Sequence, residues 1–189
     1  MRISDDRYHR DRLRLDIAVK FIEREARTHT IRQWTGLSDD RIRKLYRSYL
    51  FDGSGRGVRR HRGKSPHQSA HFMRTARMRQ DASLLASVCA LAGMLPRPGS
   101  TPAARFAPTI QRGHLLCQAY DAYRALVPKP VISFEHAVFL VGTLTRRDEL
   151  TLATCQACSA LIIVDRFSLR AAHCFACGGE TPELSGIAH

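Results

Sequence analysis

Residues 154–179 read TCQACSALIIVDRFSLRAAHCFACGG and hold four of the chain's six cysteines as two C-x-x-C pairs. No other feature constrains the fold as strongly. Two residues between thiols let both sulfurs of a pair turn onto one ion. The fifteen residues between Cys158 and Cys174 are enough to bring the second pair round and close a tetrahedron. A lone C-x-x-C fits a redox pair, whereas two at this spacing predict one Zn²⁺ held by Cys155, Cys158, Cys174 and Cys177. Four sulfurs leave no open position for water, so the expected role is structural. Four thiolates on a divalent ion carry a net charge of about −2, which Arg166 and Arg170 between the pairs are placed to offset. Gly178 and Gly179 suit a backbone that bends toward sulfur. His173, beside Cys174, would break the symmetric pairing and is read as a bystander; Cys89 and Cys117 lie in apolar runs and are read as buried hydrophobes.

The charge lies elsewhere. Net charge is +13; residues 1–64 carry 18 Lys and Arg against 9 Asp and Glu, while residues 155–189 carry 2 against 3. A positive field at the N-terminal end points to a polyanion, with nucleic acid the natural partner. The longest apolar stretch, Ala82–Leu95, has 14 residues, short of a membrane span and suited to a buried helix. The N-terminus has no secretory pattern, so the expected location is cytoplasmic, where paired cysteines hold metal more often than they form disulfides.

Periodicity predicts a mainly α fold: a helical bundle with a helix-turn-helix-like N-terminal unit and a small four-cysteine zinc module at the C-terminus. Leu13, Ile17, Ala18, Phe21 and Ile22 mark an amphipathic helix over 10–28. A short helix (30–35) meets Gly36, and Ser38 with Asp39 and Asp40 opens the next one. Further helices are expected over 72–95, over 103–127 with a start or kink at Pro108, and over 131–150 with a break at Gly142. The expected domains are a helical DNA- and partner-binding domain (1–150), a zinc module (151–180) and a tail (181–189).

On the helix that starts at Ser38, Ile42, Leu45, Tyr46 and Tyr49 form one apolar stripe. Arg41, Arg43, Lys44 and Arg47 fall on the remaining arc, the layout of a helix offered to a DNA groove. The Gly-rich loop that follows carries Arg59, Arg60, Arg62 and Lys64, expected to attract phosphate without reading sequence. No phosphate-binding G-x-x-x-x-G-K-[ST] loop, no G-x-S-x-G turn and no zinc-deaminase pattern occurs, and Glu135–His136 is an isolated pair, so no enzyme is expected.

Three stretches, GLSDDRIRKLYR (36–47), SFEHAVFLVGTL (133–144) and TCQACSALII with HCFACGG (154–179), together resemble the FlhC family, subunits of the bacterial flagellar transcriptional master regulator. The resemblance implies a mostly helical fold and zinc on the four cysteines. It also implies a hetero-oligomer with a FlhD-type partner that binds double-stranded promoter DNA and activates flagellar operons, and it admits RNA polymerase as a further partner. GRGVRRHRGKSPHQSAHF (55–72) departs from the family, which carries a Pro-rich stretch and a G-x-L-P-type motif there, and marks a divergent member or paralogue. The alternative from another class is a zinc-stapled protein–protein adaptor whose basic arm binds acidic partners or RNA.

Overall fold

The computed structural model describes residues 2–50, 58, 61, 63–96, 98, 107–168 and 173–179, with 2–6, 49 and 50 described in backbone only. The architecture is mainly helical. Among the described residues six α-helices precede a two-stranded sheet: α1 (Arg2–Glu23), α2 (Thr28–Thr35), α3 (Asp39–Leu50), α4 (Ala76–Leu91), α5 (Ile110–Leu126), α6 (Phe134–Arg146), β1 (Leu150–Thr154) and β2 (Leu161–Asp165). The chain divides into two compact units, one of residues 1–65 and 107–117, the other of residues 66–106 and 118–189.

In the first unit the apolar stripe of α1 supplies Ile17, Ala18, Phe21 and Ile22, all fully buried. The chain leaves α1 through Glu25, at φ +60°. Glu25 N–H donates to the Ile22 carbonyl and Ala26 N–H to the Phe21 carbonyl, which satisfies two end carbonyls. Phe21 meets Trp34 of α2 with ring centroids 5.6 Å apart. Gly36 then closes α2 at φ +70°, its N–H donating to the Arg32 carbonyl. Thr35 braces this turn, its hydroxyl donating to the Ile31 carbonyl and accepting from Leu37 N–H. Ser38 caps α3 from both its hydroxyl and its carbonyl, and Asp39 and Asp40 fill the first turn. The expected helix, turn and capped helix are therefore present. Ile42 and Tyr46 are buried, and the Tyr46 hydroxyl donates to the Ala26 carbonyl. Leu45 is half-buried, and the side chain of Tyr49 lies outside the described residues.

The second unit departs from the expected helices in three places. The helix expected from residue 72 begins at Ala76, after a 3-10 turn over Ser69–Met73, because the Thr75 hydroxyl accepts from Met78 N–H and caps it there. The helix expected over 131–150 starts at Phe134 behind the Ser133 cap and ends at Arg146; it runs through Gly142 without a break. Leu150 belongs to a strand. β1 and β2 pair antiparallel, Leu150 opposite Asp165 and Thr154 opposite Leu161, a hairpin that the helical reading did not foresee. β2 packs on α4, where Ile163 N–H donates 3.1 Å to the buried Ser83 hydroxyl. A second polar anchor lies beneath: buried Asp81 accepts from the Tyr123 hydroxyl (2.6 Å) and from Val131 N–H (3.2 Å) and pairs with Arg77 Nε (3.0 Å).

Candidate functional site

The hairpin positions the cysteines. Its loop, Cys155 to Ala160, is the first C-x-x-C bite, so the β1–β2 register fixes where Cys155 and Cys158 stand. In this bite Cys155 N–H donates to the Ala160 carbonyl, and Ser159 N–H donates back to the Cys155 carbonyl. The second bite repeats the pattern: Cys174 N–H donates to the Gly179 carbonyl, and Gly178 N–H to the Cys174 carbonyl. Each loop thereby turns backbone N–H groups inward toward its first sulfur, and Ala176 N–H lies 3.4 Å from Cys174 Sγ.

All four Sγ atoms lie within 4.8 Å of one another and could hold a metal ion. Cys155 Sγ is 3.6 Å from Cys177 Sγ, and Cys158 Sγ is 3.6 Å from Cys174 Sγ, so the close pairs run between the two bites. None of the six cysteines is in a disulfide. Cys155 and Cys174 are buried over a small core of Ala153, Ile162 and Val164, while Cys158 and Cys177 are exposed. Gly179 keeps the sulfurs room: a Cβ there would stand 3.3 Å from Cys177 Sγ.

The electrostatics follow from this crowding. The Cys158 N–H lowers the Cys155 thiol to about 7 against the effect of burial, helped by Ala157 N–H and the neighbouring thiols. Cys158 has an N–H of its own from Ala160, yet the sulfurs of Cys177, Cys174 and Cys155, together with burial, push it up to about 12. Four thiolates so close repel one another, and a cation between them removes the conflict.

The neighbouring residues take other parts. His173 is exposed and outside the four-sulfur cluster. Arg166 donates to the Arg147 carbonyl, and Arg170 lies outside the described residues. Cys89 and Cys117 are buried. Burial raises the Cys89 thiol to about 12.

The basic helix is the second candidate. Arg41, Arg43, Lys44 and Arg47 are all exposed on α3, on the arc opposite Ile42 and Tyr46. Arg43 Nη1 lies 2.8 Å from Asp40, and Arg41 Nη1 lies 3.9 Å from Asp11. Of the loop cations Lys64 is exposed, and Arg59, Arg60 and Arg62 lie outside the described residues. Sequence reasoning missed Ser159, the αL residue of the first bite, because serine carries no turn signal comparable with glycine. Among the described residues no helix is long and apolar enough to cross a membrane. No protein-family model and no curated protein matches the chain.

Proposed function

We propose that the chain is a DNA-binding transcriptional activator subunit, a divergent member of the FlhC type that acts with a FlhD-type partner on promoter DNA. The observation that carries this reading is the division of α3. Its apolar side is anchored by Ile42 and Tyr46, and Arg41, Arg43, Lys44 and Arg47 are left to solvent. A helix held from behind with cations in front suits a major groove, where guanidinium groups reach base edges and phosphates. The two acids that touch this arc, Asp40 and Asp11, pre-orient Arg43 and Arg41. Lys44 and Arg47 would supply phosphate attraction.

Zinc is the ion that this reading assigns to the cysteines. Metal–sulfur bonds of about 2.3 Å in a tetrahedron put sulfurs about 3.8 Å apart, close to the 3.6 Å separations across the bites. When bound, it supplies a cross-link with no open coordination position. Cys155 and Cys174 then tie the hairpin to the second bite, and the exposed Cys158 and Cys177 close the site on the solvent side.

The test is duplex binding by the Arg43→Ala/Arg47→Ala double variant, with and without a FlhD-type partner, at two salt concentrations. The reading expects affinity to fall at least tenfold at low salt, with a salt slope shallower by about two. Unchanged binding removes the α3 assignment. A preference for structured RNA over duplex would favour the adaptor.

A further inference from the structure

Part of the basic loop lies against the start of α2, and the two border an open cavity of about 450 Å³. Its wall is Arg27, Thr28 and His29 at the beginning of α2, Arg43 of α3, and His61, Gly63 and Ser65 of the loop. Arg27 fastens the loop, its Nη1 donating 2.5 Å to the Gly63 carbonyl. The lining has no carboxylate and no apolar side chain among the described residues. Two acids that pair with its bases stand outside the wall: Glu25 holds His61 Nε2 at 2.7 Å, and Asp40 holds Arg43 Nη1 at 2.8 Å. Each of these acids fixes a ring or guanidinium in place. A hydrophobic ligand would gain nothing there, and a cation would meet two arginines. The backbone adds to the same sign, since α2 has no side-chain cap at Arg27 and no acid in its first turn.

We propose that this cavity binds a phosphate group. Arg27 and Arg43 offer forked donors that match phosphate oxygens, with His29, His61 and the hydroxyls of Thr28 and Ser65 around them. The inference rests on the reading of α3 as the duplex-facing helix, because Arg43 belongs to both surfaces. On that reading the occupant is a backbone phosphodiester of the bound duplex, so the cavity sets the register of α3 without reading sequence. Free phosphate has the same chemistry and is the other source.

Amide NMR of the ¹⁵N-labelled full-length protein separates them. The protein is titrated with inorganic phosphate, at ionic strength held constant with chloride, and separately with a short duplex. Phosphate is expected to shift the amides of Thr28, His29 and Gly63 saturably. The apparent affinity should fall at least tenfold in Arg27→Gln and in His29→Glu; His29 is exposed, so the second variant keeps the test valid if the first disturbs the loop. With duplex the same amides should move, and His29→Glu should weaken binding several-fold with a salt slope shallower by about one. Phosphate that leaves these amides unmoved, or moves them equally in His29→Glu, overturns the site, even where duplex shifts the α3 amides and the DNA reading stands. Phosphate that moves them while duplex moves neither the cavity nor α3 keeps the site, assigns it to free phosphate, and ends the DNA reading instead.

Discussion

Ser159 and Gly178 stand at the same place in the two cysteine bites, four residues after Cys155 and Cys174, and both take the left-handed conformation, at φ +60° and +72°. Each donates its N–H to the carbonyl of the cysteine that opens its bite. The geometry is shared and the residue is not: glycine adopts this backbone without strain, whereas a Cβ costs about 1–2 kcal/mol. Ser159→Gly should therefore raise the stability of the metal-loaded protein by up to about 1 kcal/mol, after the greater unfolded-state freedom of glycine is deducted. Gly178→Ala should lower it by about 1 kcal/mol. Urea unfolding of the two variants beside the parent checks both, and equal shifts of one sign would show that the bites are not equivalent.

Removal of the ion should cost far more. The core under the cysteines is small, Ala153, Ile162 and Val164 with the Cys155 and Cys174 side chains, and the strand pair has only two strands. A hairpin of that size has little stability of its own, so ion-binding energy is folding energy for this part of the chain. Elemental analysis should find one metal per chain, with a strong chelator lowering Tm by ten degrees or more. Cys174→Ser should reproduce that loss in the absence of chelator. Cys89→Ser, in a helix away from the ligand set, should leave metal content unchanged.

The four-cysteine cluster and the α2–α3 unit were legible in the sequence because each rests on local chemistry. A C-x-x-C bite needs two residues between thiols, and a helix-turn-helix needs its Gly36 and its Ser38 cap. The hairpin was not legible in the same way. LTLAT and LIIVD are five-residue segments, too short for periodicity to separate strand from buried helix, and they pair because the first bite turns the chain back on itself. The end of α6 before Leu150 was missed for another reason: Arg147 closes the helix in the left-handed conformation, at φ +55°, and arginine carries no turn signal comparable with glycine. The cavity at Arg27 could not be read at all: Arg27, Arg43 and His61 are far apart in the chain and converge through tertiary packing.

A close helix approach in the first unit makes a prediction about size. A Cβ added at Gly113 on α5 would stand 3.0 Å from Ile17 Cγ1 and 3.3 Å from Trp34 Cε3. Alanine gains helix propensity of about 1 kcal/mol over glycine, so Gly113→Ala should come out near neutral or mildly destabilising. Gly113→Val adds two further carbons to the crowded side and should destabilise by about 2–3 kcal/mol. Chemical denaturation of the pair measures the difference, and a Val variant as stable as Ala would mean that Ile17 and Trp34 yield without cost.

Asp81 is a buried polar anchor of the second unit. It is 1% exposed and holds three partners from separate segments: Arg77 of α4, Tyr123 of α5, and Val131 before α6. The contact with Asp81, after burial itself, raises the Tyr123 hydroxyl well above its ordinary value, as a donor held against a carboxylate should be. Asp81→Ala leaves the buried Tyr123 hydroxyl and the part-buried Val131 N–H without their acceptor and should cost about 2–4 kcal/mol. Tyr123→Phe removes one bond and should cost about 1–2 kcal/mol. A double-mutant cycle should show the two losses to be less than additive, since the second deletion acts on a bond already gone.

The last prediction concerns acid. His71 stacks on His136 with ring centroids 4.4 Å apart and lies edge-on to Phe72 at 5.6 Å. Burial, and then the charge of Arg74, lower its pKa below the ordinary 6.5. The folded state thus disfavours the imidazolium, while the unfolded chain protonates freely at 6.5. Between the depressed native value and that pH the unfolded state binds more protons, so the contribution of His71 is intact above pH 6.5 and declines as the pH falls through this window. His136 shares the stack and hydrogen-bonds with the Ser133 hydroxyl at 2.7 Å. Urea unfolding of the full-length protein at intervals from pH 5 to pH 8 should show stability rising with pH. His71→Gln, which keeps a polar side chain of similar reach and cannot titrate, should flatten that rise. A profile equally steep in the variant would place the proton uptake on another group.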